Sequence, residues 1–188
     1  MHREPLLNAL SEYAAGNPGE RACSERFAAF VRAHPSCFSR TLAPGHVTGS
    51  AWVVHPDGEQ VLLTHHRKLD IWVQLGGHAD DDPDPARVAM REAVEESGLA
   101  GLEFVAPSIF DLDIHRIPAR GTEPEHEHFD VRFAIRATTD TGYRVSPESK
   151  ALAWVPIAAL SRLTTEVSML RMGAKWLAWR DAGRRSGA

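Results

Sequence analysis

An α+β fold is predicted for this chain of 188 residues by three features of its sequence. Apolar residues recur at helical spacing before residue 34, the period changes to two from His46 onward, and a helix with its own start and stop signals interrupts the period-two runs. At 43% hydrophobic content the chain can bury one good core and carry a terminal embellishment. A helical extension, residues 1–43, is therefore expected to pack on a main domain of residues 44–188. The formal net charge of −4, with no basic run, gives no general attraction for nucleic acid phosphates, so a polynucleotide partner is disfavoured. Cys23 and Cys37 are too few for a disulfide framework. No apolar run approaches the length of a membrane span, and MHREPLLNALSEY lacks the apolar core of a signal peptide. A soluble, cytoplasmic protein with no membrane partner is the expectation.

Residues 5–14 and 19–33 read as helices on either side of the breaker Gly16-Asn17-Pro18-Gly19, with Leu6, Leu7 and Leu10 and then Phe27, Phe30 and Val31 at helical spacing. His46–Val54 and Gln60–His65 read as strands around the turn His55-Pro56-Asp57-Gly58, where Asp-Gly is a good hairpin signal. Ile71–Leu75 is a further short strand that delivers the chain to the glycine loop Gly76-Gly77. Before it, His65, His66, Arg67 and Lys68 form a cationic loop. A solvated turn is one reading, and phosphate contact by Arg67 and Lys68 is the other. Asp84 followed by Pro85 starts a helix, because aspartate accepts the orphan backbone N–H groups and proline at the first position loses no helical bond. Gly98 stops it.

Ser108–Ile117 and His126–Ala137 alternate as strands. Phe110, Leu112 and Ile114 oppose Asp111, Asp113 and His115, and Phe129, Val131, Phe133 and Ile135 oppose His126, His128, Asp130 and Arg132. If the two segments pair, one sheet face carries Asp, His and Arg side chains together. Leu152–Val155 is a strand, Pro156 begins a short helix over Ile157–Leu163, and Thr165–Ala182 forms the C-terminal helix before a frayed tail, 183–188. Met169, Leu170, Trp176, Leu177 and Trp179 give that helix an apolar stripe, read as core packing with a homodimer interface as the alternative.

The helix that starts at Pro85 carries the chemistry. Ala86, Ala89, Met90, Ala93 and Val94 fall on one side of it, and Glu92, Glu95 and Glu96 cluster on another. Glu92 and Glu96 are like charges one turn apart, which costs an isolated helix about 0.2–0.5 kcal/mol. Arg91 can reach Glu95, leaving two carboxylates facing one volume without a cationic partner on that helix. A divalent cation would compensate, since carboxylates and a backbone carbonyl from the glycine loop are hard oxygen ligands suited to Mg²⁺ or Mn²⁺. A solvated acidic face is the plain alternative.

The segment from Gly77 to Leu99 resembles the Nudix box, whose pattern is Gly, five residues, Glu, seven residues, then Arg-Glu-apolar-x-Glu-Glu-x-Gly-apolar. Gly77, Arg91, Glu92, Ala93, Glu95, Glu96, Gly98 and Leu99 match it in register, and Pro83 stands where the first Glu belongs. That Glu pairs with the box arginine in the family, so Arg91 is expected to turn here to Asp82 or Asp84. The tryptophan strand and its proline-led helix are also similar to the family, which extends the resemblance over roughly residues 44–163.

What the resemblance implies is specific. The fold would be a Nudix-type α/β/α sandwich, with a mixed curved sheet between helices, carrying the N-terminal extension and the C-terminal helix. The activity would be metal-dependent hydrolysis of a pyrophosphate bond in a nucleoside diphosphate linked to another moiety, such as a nucleotide sugar, ADP-ribose or a nucleoside triphosphate. Mg²⁺ or Mn²⁺ would sit on Gly77, Glu92, Glu95 and Glu96, with Arg91 orienting the carboxylates and Glu148, in the loop before the tryptophan strand, as a further ligand or base. The polar strand faces would line the substrate cavity, making His78, Asp113, His115, His126, His128 and Arg132 candidates for substrate contact beside Arg67 and Lys68. A transition-metal site at His115, His126 and His128 is compelled by no spacing. A Nudix-fold ligand-binding regulator is the alternative function, to which Pro83 lends weight. An isopentenyl diphosphate isomerase-like enzyme ranks below it, because neither cysteine lies near the glycine loop.

Overall fold

The computed structural model describes all residues except 1, 68–69, 123, 139–140, 148 and 187–188, with side chains as far as residue 182. Among the described residues, α1 spans Glu4–Gly16, α2 Arg21–Ala33, α3 Pro85–Ser97 and α4 Val167–Ser186. The strands are β1 Gly45–Val54, β2 Gln60–His66, β3 Trp72–Val73, β4 Leu75–His78, β5 Leu102–Phe104, β6 Asp111–Ile117, β7 His126–Ala137 and β8 Ser149–Pro156. They form one open, mixed sheet with the path β3-β2-β1-β7-β5, to which β4 adds on β1, β6 on β7 and β8 on β2. The α+β class read from the periodicities is the observed one. The contacts divide the chain into two compact units.

One unit comprises Met1–Ser50, Gly76–Glu92 and Ala106–Phe133. Its sheet segment separates two rows of side chains by the period of two. The apolar row of β7 faces helices: Phe129 stacks on Phe30 at 3.7 Å between ring centroids and meets Phe27 edge-on at 5.3 Å. In β1, Gly49 belongs to the same row, and α3 lies so close that a Cβ there would come within 2.6 Å of the Pro85 carbonyl oxygen. The opposite row is polar. It is aligned by the antiparallel ladder of β6 and β7, in which Asp111 faces Arg132, Asp113 faces Asp130 and His115 faces His128. β6 begins at Asp111 rather than Ser108, because its ladder on β7 starts at Arg132 and the following stretch of β7, from Ile135, pairs with β5 instead.

The other unit comprises Ala51–Leu75, Ala93–Val105 and Ala134–Ala188. β2 pairs with β8 from Gln60↔Pro156 to His66↔Ser149, with a register shift between His65 and His66. The hairpin turn holds Gly58 at φ +74°, and its carbonyl accepts the indole N–H of buried Trp176 at 2.8 Å. Trp176 is thereby fixed to the hairpin. Arg136 lies over the same indole, 5.9 Å from its centroid.

Several expected boundaries are corrected. The short strand at Ile71–Leu75 is two strands, because Trp72–Val73 pairs with β2 whereas Leu75–His78 pairs with β1. Gly76 and Gly77 therefore lie within a strand, where missing side chains permit a close approach to Ser50 and Glu92. Leu102–Phe104 is a strand that its three residues are too few to reveal by periodicity. The helix at Ile157–Leu163 is a 3₁₀ segment, Ile157–Arg162. α4 starts at Val167 and passes through Gly183 to Ser186, so those residues of the expected tail are helical. Asp84 caps α3 as expected, its Oδ1 accepting the amide N–H groups of Ala86 at 3.1 Å and Arg87 at 3.3 Å, and Gly98 closes the helix at φ +68°.

Candidate functional site

The cap at Asp84 fixes where α3 begins and therefore which residues meet the glycine strand. Arg91 Nη2 donates to Glu92 Oε1 at 2.7 Å and to the His78 carbonyl oxygen at 2.9 Å, tying helix to strand. Gly77 lies directly against Glu92: a Cβ there would sit 2.6 Å from its carboxyl carbon. The partners expected for Arg91 are Asp82 and Asp84, and the Asp82 pKa is lowered chiefly by its hydrogen bond from Arg87, with the charge of Arg91 adding to the effect. The two aspartates serve Arg87, whose Nε donates to Asp82 Oδ2 at 2.7 Å. With Arg87 one turn before Arg91, the loop aspartates find a nearer cation. Glu92 is half-buried, and on the same helix Glu95 is exposed and Glu96 is buried.

The polar row of the sheet forms a second constellation. Arg132 is fully buried, and its guanidinium is divided among three carboxylates, with Nε to Asp130 at 2.7 Å and Nη1 and Nη2 to Asp111 and Asp113 at 3.2 Å each. Thr48 and Ser50 donate to Asp130 Oδ1, each at 2.8 Å. Burial opposes the Arg132 charge, but Asp130, Asp113 and Asp111 together hold its pKa above the usual value. Beside this cage, five histidines crowd together: His46, His78, His115, His126 and His128, with ring centroids 4.8–5.4 Å apart in the closest pairs. Burial depresses His46 to about 4, reinforced by His78 and His126. Burial likewise depresses His128 to about 2, reinforced by its histidine neighbours. Both rings are neutral at physiological pH, with a lone pair on one nitrogen.

The structure thus brings His78, His115, His126 and His128 together, sets Arg132 against Asp113, and groups Gly77, Arg91 and Glu92. Arg67 donates to the Pro147 and Ser149 carbonyl oxygens at 2.9 Å. Lys68 and Glu148 lie outside the described residues. His46, Asp111 and Asp130 are not among the candidate site residues read from the sequence, although Asp111 and Asp130 lie on its polar strand faces. The available signal is the alternation of polar His46, Thr48 and Ser50 along an otherwise buried strand, a row in step with His126, His128, Asp130 and Arg132.

An open mixed sheet whose glycine strand is tied to a glutamate-bearing helix is the frame of this chain, and the sequence comparison gives its family. The NUDIX domain family matches residues 45–176, and the chain belongs to that family and is a hydrolase of the Nudix type. No curated protein matches the chain. Among solved structures, it is similar to an Ap4A hydrolase from C. elegans in a binary complex, at 16% identity and TM-score 0.59, over 72% of this chain and 98% of that one. It is also similar to a NUDIX family hydrolase from Clostridium perfringens, at 23% identity and TM-score 0.52, over 71% and 97%. A MutT protein from Methanosarcina mazei Go1 matches at 16% identity and TM-score 0.54, over 74% and 97%. These likenesses establish the Nudix-type fold expected from the box. Among the described residues, no helix is long and apolar enough to cross a membrane.

Proposed function

We propose that the chain hydrolyses a pyrophosphate bond in a small nucleoside diphosphate derivative, by attack of water on phosphorus, with Mg²⁺ or Mn²⁺ held by Gly77, Glu92, Glu95 and Glu96. The observation that carries this reading is the lock of Arg91 on Glu92 beside a residue with no side chain. The space a Cβ would fill at Gly77 lets the main chain approach a carboxylate closely, as a cradle for a hard cation requires. Glu95 and Glu96 follow on the same helix, where spacing is set by the helix itself, and Glu148 would add a ligand or a base. A divalent ion bound there supplies charge neutralisation on the phosphate oxygens. Arg91 fixes the carboxylate of Glu92, which accepts a proton from water as general base. The remaining candidates, Arg67, Lys68, His78, Asp113, His115, His126, His128 and Arg132, are assigned to the substrate side, either in contact or holding those that are. In the same reading residues 1–43 are an extension packed on a hydrolase domain of 44–188, and the enzyme works in the cytoplasm, with half-exposed Trp179 available to a homodimer contact.

The test is phosphatase-coupled phosphate release from a panel of nucleoside diphosphate derivatives, with Mg²⁺ and with Mn²⁺. At least one compound should be turned over, and Glu92→Gln and Glu96→Gln should each lower the rate at least 100-fold, on the scale of a lost general base or ion site. No turnover of any compound, with ligand binding retained, favours the regulator.

A further inference from the structure

We propose that His46, His78 and His128 form a second cation site, for a late first-row divalent ion of the Zn²⁺ class, separate from the carboxylates of α3. One ring nitrogen from each lies within 4.8 Å of those of the other two. The three residues stand on β1, β4 and β7, so their spacing is set by the sheet rather than by flexible loops, and all three belong to the same compact unit.

His46 supplies the independent observation. It is only 1% exposed, and neither of its ring nitrogens has a hydrogen-bond partner among the described residues. A buried polar group left unsatisfied costs about 1–3 kcal/mol, so an imidazole serving only as packing is a poor choice there. An ion among the rings would take up its lone pair.

The neighbours prepare His128 for the same duty. The carbonyl of Pro124 can only accept, so His126 carries its proton on Nδ1, 2.9 Å away. Its Nε2 then accepts from His128 Nε2, at 3.3 Å. The relay leaves the lone pair of His128 on Nδ1, and a histidine whose second nitrogen is held by a donor–acceptor chain is the usual form of a metal ligand. At His78, Arg40 donates to Nδ1 at 2.7 Å but also pairs with Asp80 at 2.6 Å, so it keeps a partner when that nitrogen is claimed.

Ion class follows from the donors. Three neutral imidazoles suit Zn²⁺, Ni²⁺, Cu²⁺ or Fe²⁺ and not Mg²⁺, which demands oxygen. Zn–N bonds of about 2.0–2.1 Å place ligand nitrogens about 3.4 Å apart, so the rings must close by roughly 1.5 Å, within reach of side-chain rotation. Three protein ligands leave a position open for an oxygen donor.

The inference does not depend on the hydrolytic reading and is tested apart from it. Metal-stripped full-length protein is titrated with Co²⁺, followed by visible absorption, and then with Zn²⁺ against a chromophoric chelator. A single equivalent of Co²⁺ should bind with the spectrum of a low-coordinate imidazole site lacking thiolate charge transfer, and Zn²⁺ should displace it. His78→Ala and His128→Asn should each weaken binding at least 10-fold, while the double variant Glu92→Gln/Glu96→Gln retains it. His78 is only half-buried, so its variant should keep the circular dichroism of the parent even if a His46 variant fails to fold. Absence of Co²⁺ binding, equal binding by the folded His78 variant, or loss of binding only in the carboxylate variant would each overturn the proposal.

Discussion

Arg132 is held by Asp111, Asp113 and Asp130 in the absence of bulk water, and removing it would leave carboxylates buried without their cation. Arg132→Met should therefore cost about 3–5 kcal/mol, read from the midpoint of urea unfolding. Arg26→Met, which breaks an exposed pair with Glu127, should cost less than about 1 kcal/mol. Equal losses would refute the distinction. Cys37 offers a pH test: burial raises its thiol from 9.0 to about 11, against a smaller opposing effect of Arg3. The folded value lies above the unfolded one, so stability is unaffected below pH 9 and falls as pH rises toward 11, where the unfolded chain ionises first. In a Cys23→Ser variant at pH 8, a disulfide reagent should label Cys37 only on unfolding, since the thiolate is the reactive form. Rapid native labelling would count against it. At this scale the sequence shows Arg132 and the histidines on the polar side of a strand, but not that Asp111 and Asp113 reach the guanidinium. That depends on register, which periodicity alone leaves open.

The elements show which glycines are structural and which are chemical. At Gly49 a Cβ would press on the Pro85 carbonyl oxygen and, at 2.8 Å, on Val88 Cβ, neither of which can swing away. Gly49→Ala should cost about 1–3 kcal/mol by forcing α3 off β1. At Gly77 the obstacle is the end of the Glu92 side chain, which can move. Gly77→Ala should leave the unfolding midpoint nearly unchanged and depress turnover by displacing Glu92. If both variants behave alike in unfolding and in rate assays, the assignment fails. The box helix was legible to the residue because Asp84, Pro85 and Gly98 mark its ends with local chemistry. β3 and β4 were not, because the exchange of partner between Val73 and Leu75 is a tertiary event with no local signal.

Taken as a whole, the chain covers the Phe129 ring with α2. Phe27 is fully buried and Phe30 stacks on Phe129, so within its unit α2 completes the apolar layer, and α1 packs on α2 with Leu6 and Leu10 buried. A chain lacking residues 1–33 should lose a substantial part of its stability, measured as a lower melting temperature and increased binding of a hydrophobic dye. An unchanged melting curve would show that these helices are dispensable. Their existence was readable from spacing, whereas their docking partner was not, since long-range packing leaves no mark in a helical repeat. The β6–β7 register carries a last consequence, for how the gene can change in length. A codon inserted just before Asp111, with the rest of the strand slipping by one residue on β7, would turn Leu112 and Ile114 into the imidazole row and Asp111 and Asp113 toward the apolar layer, so natural length variation should fall in the connection 118–125.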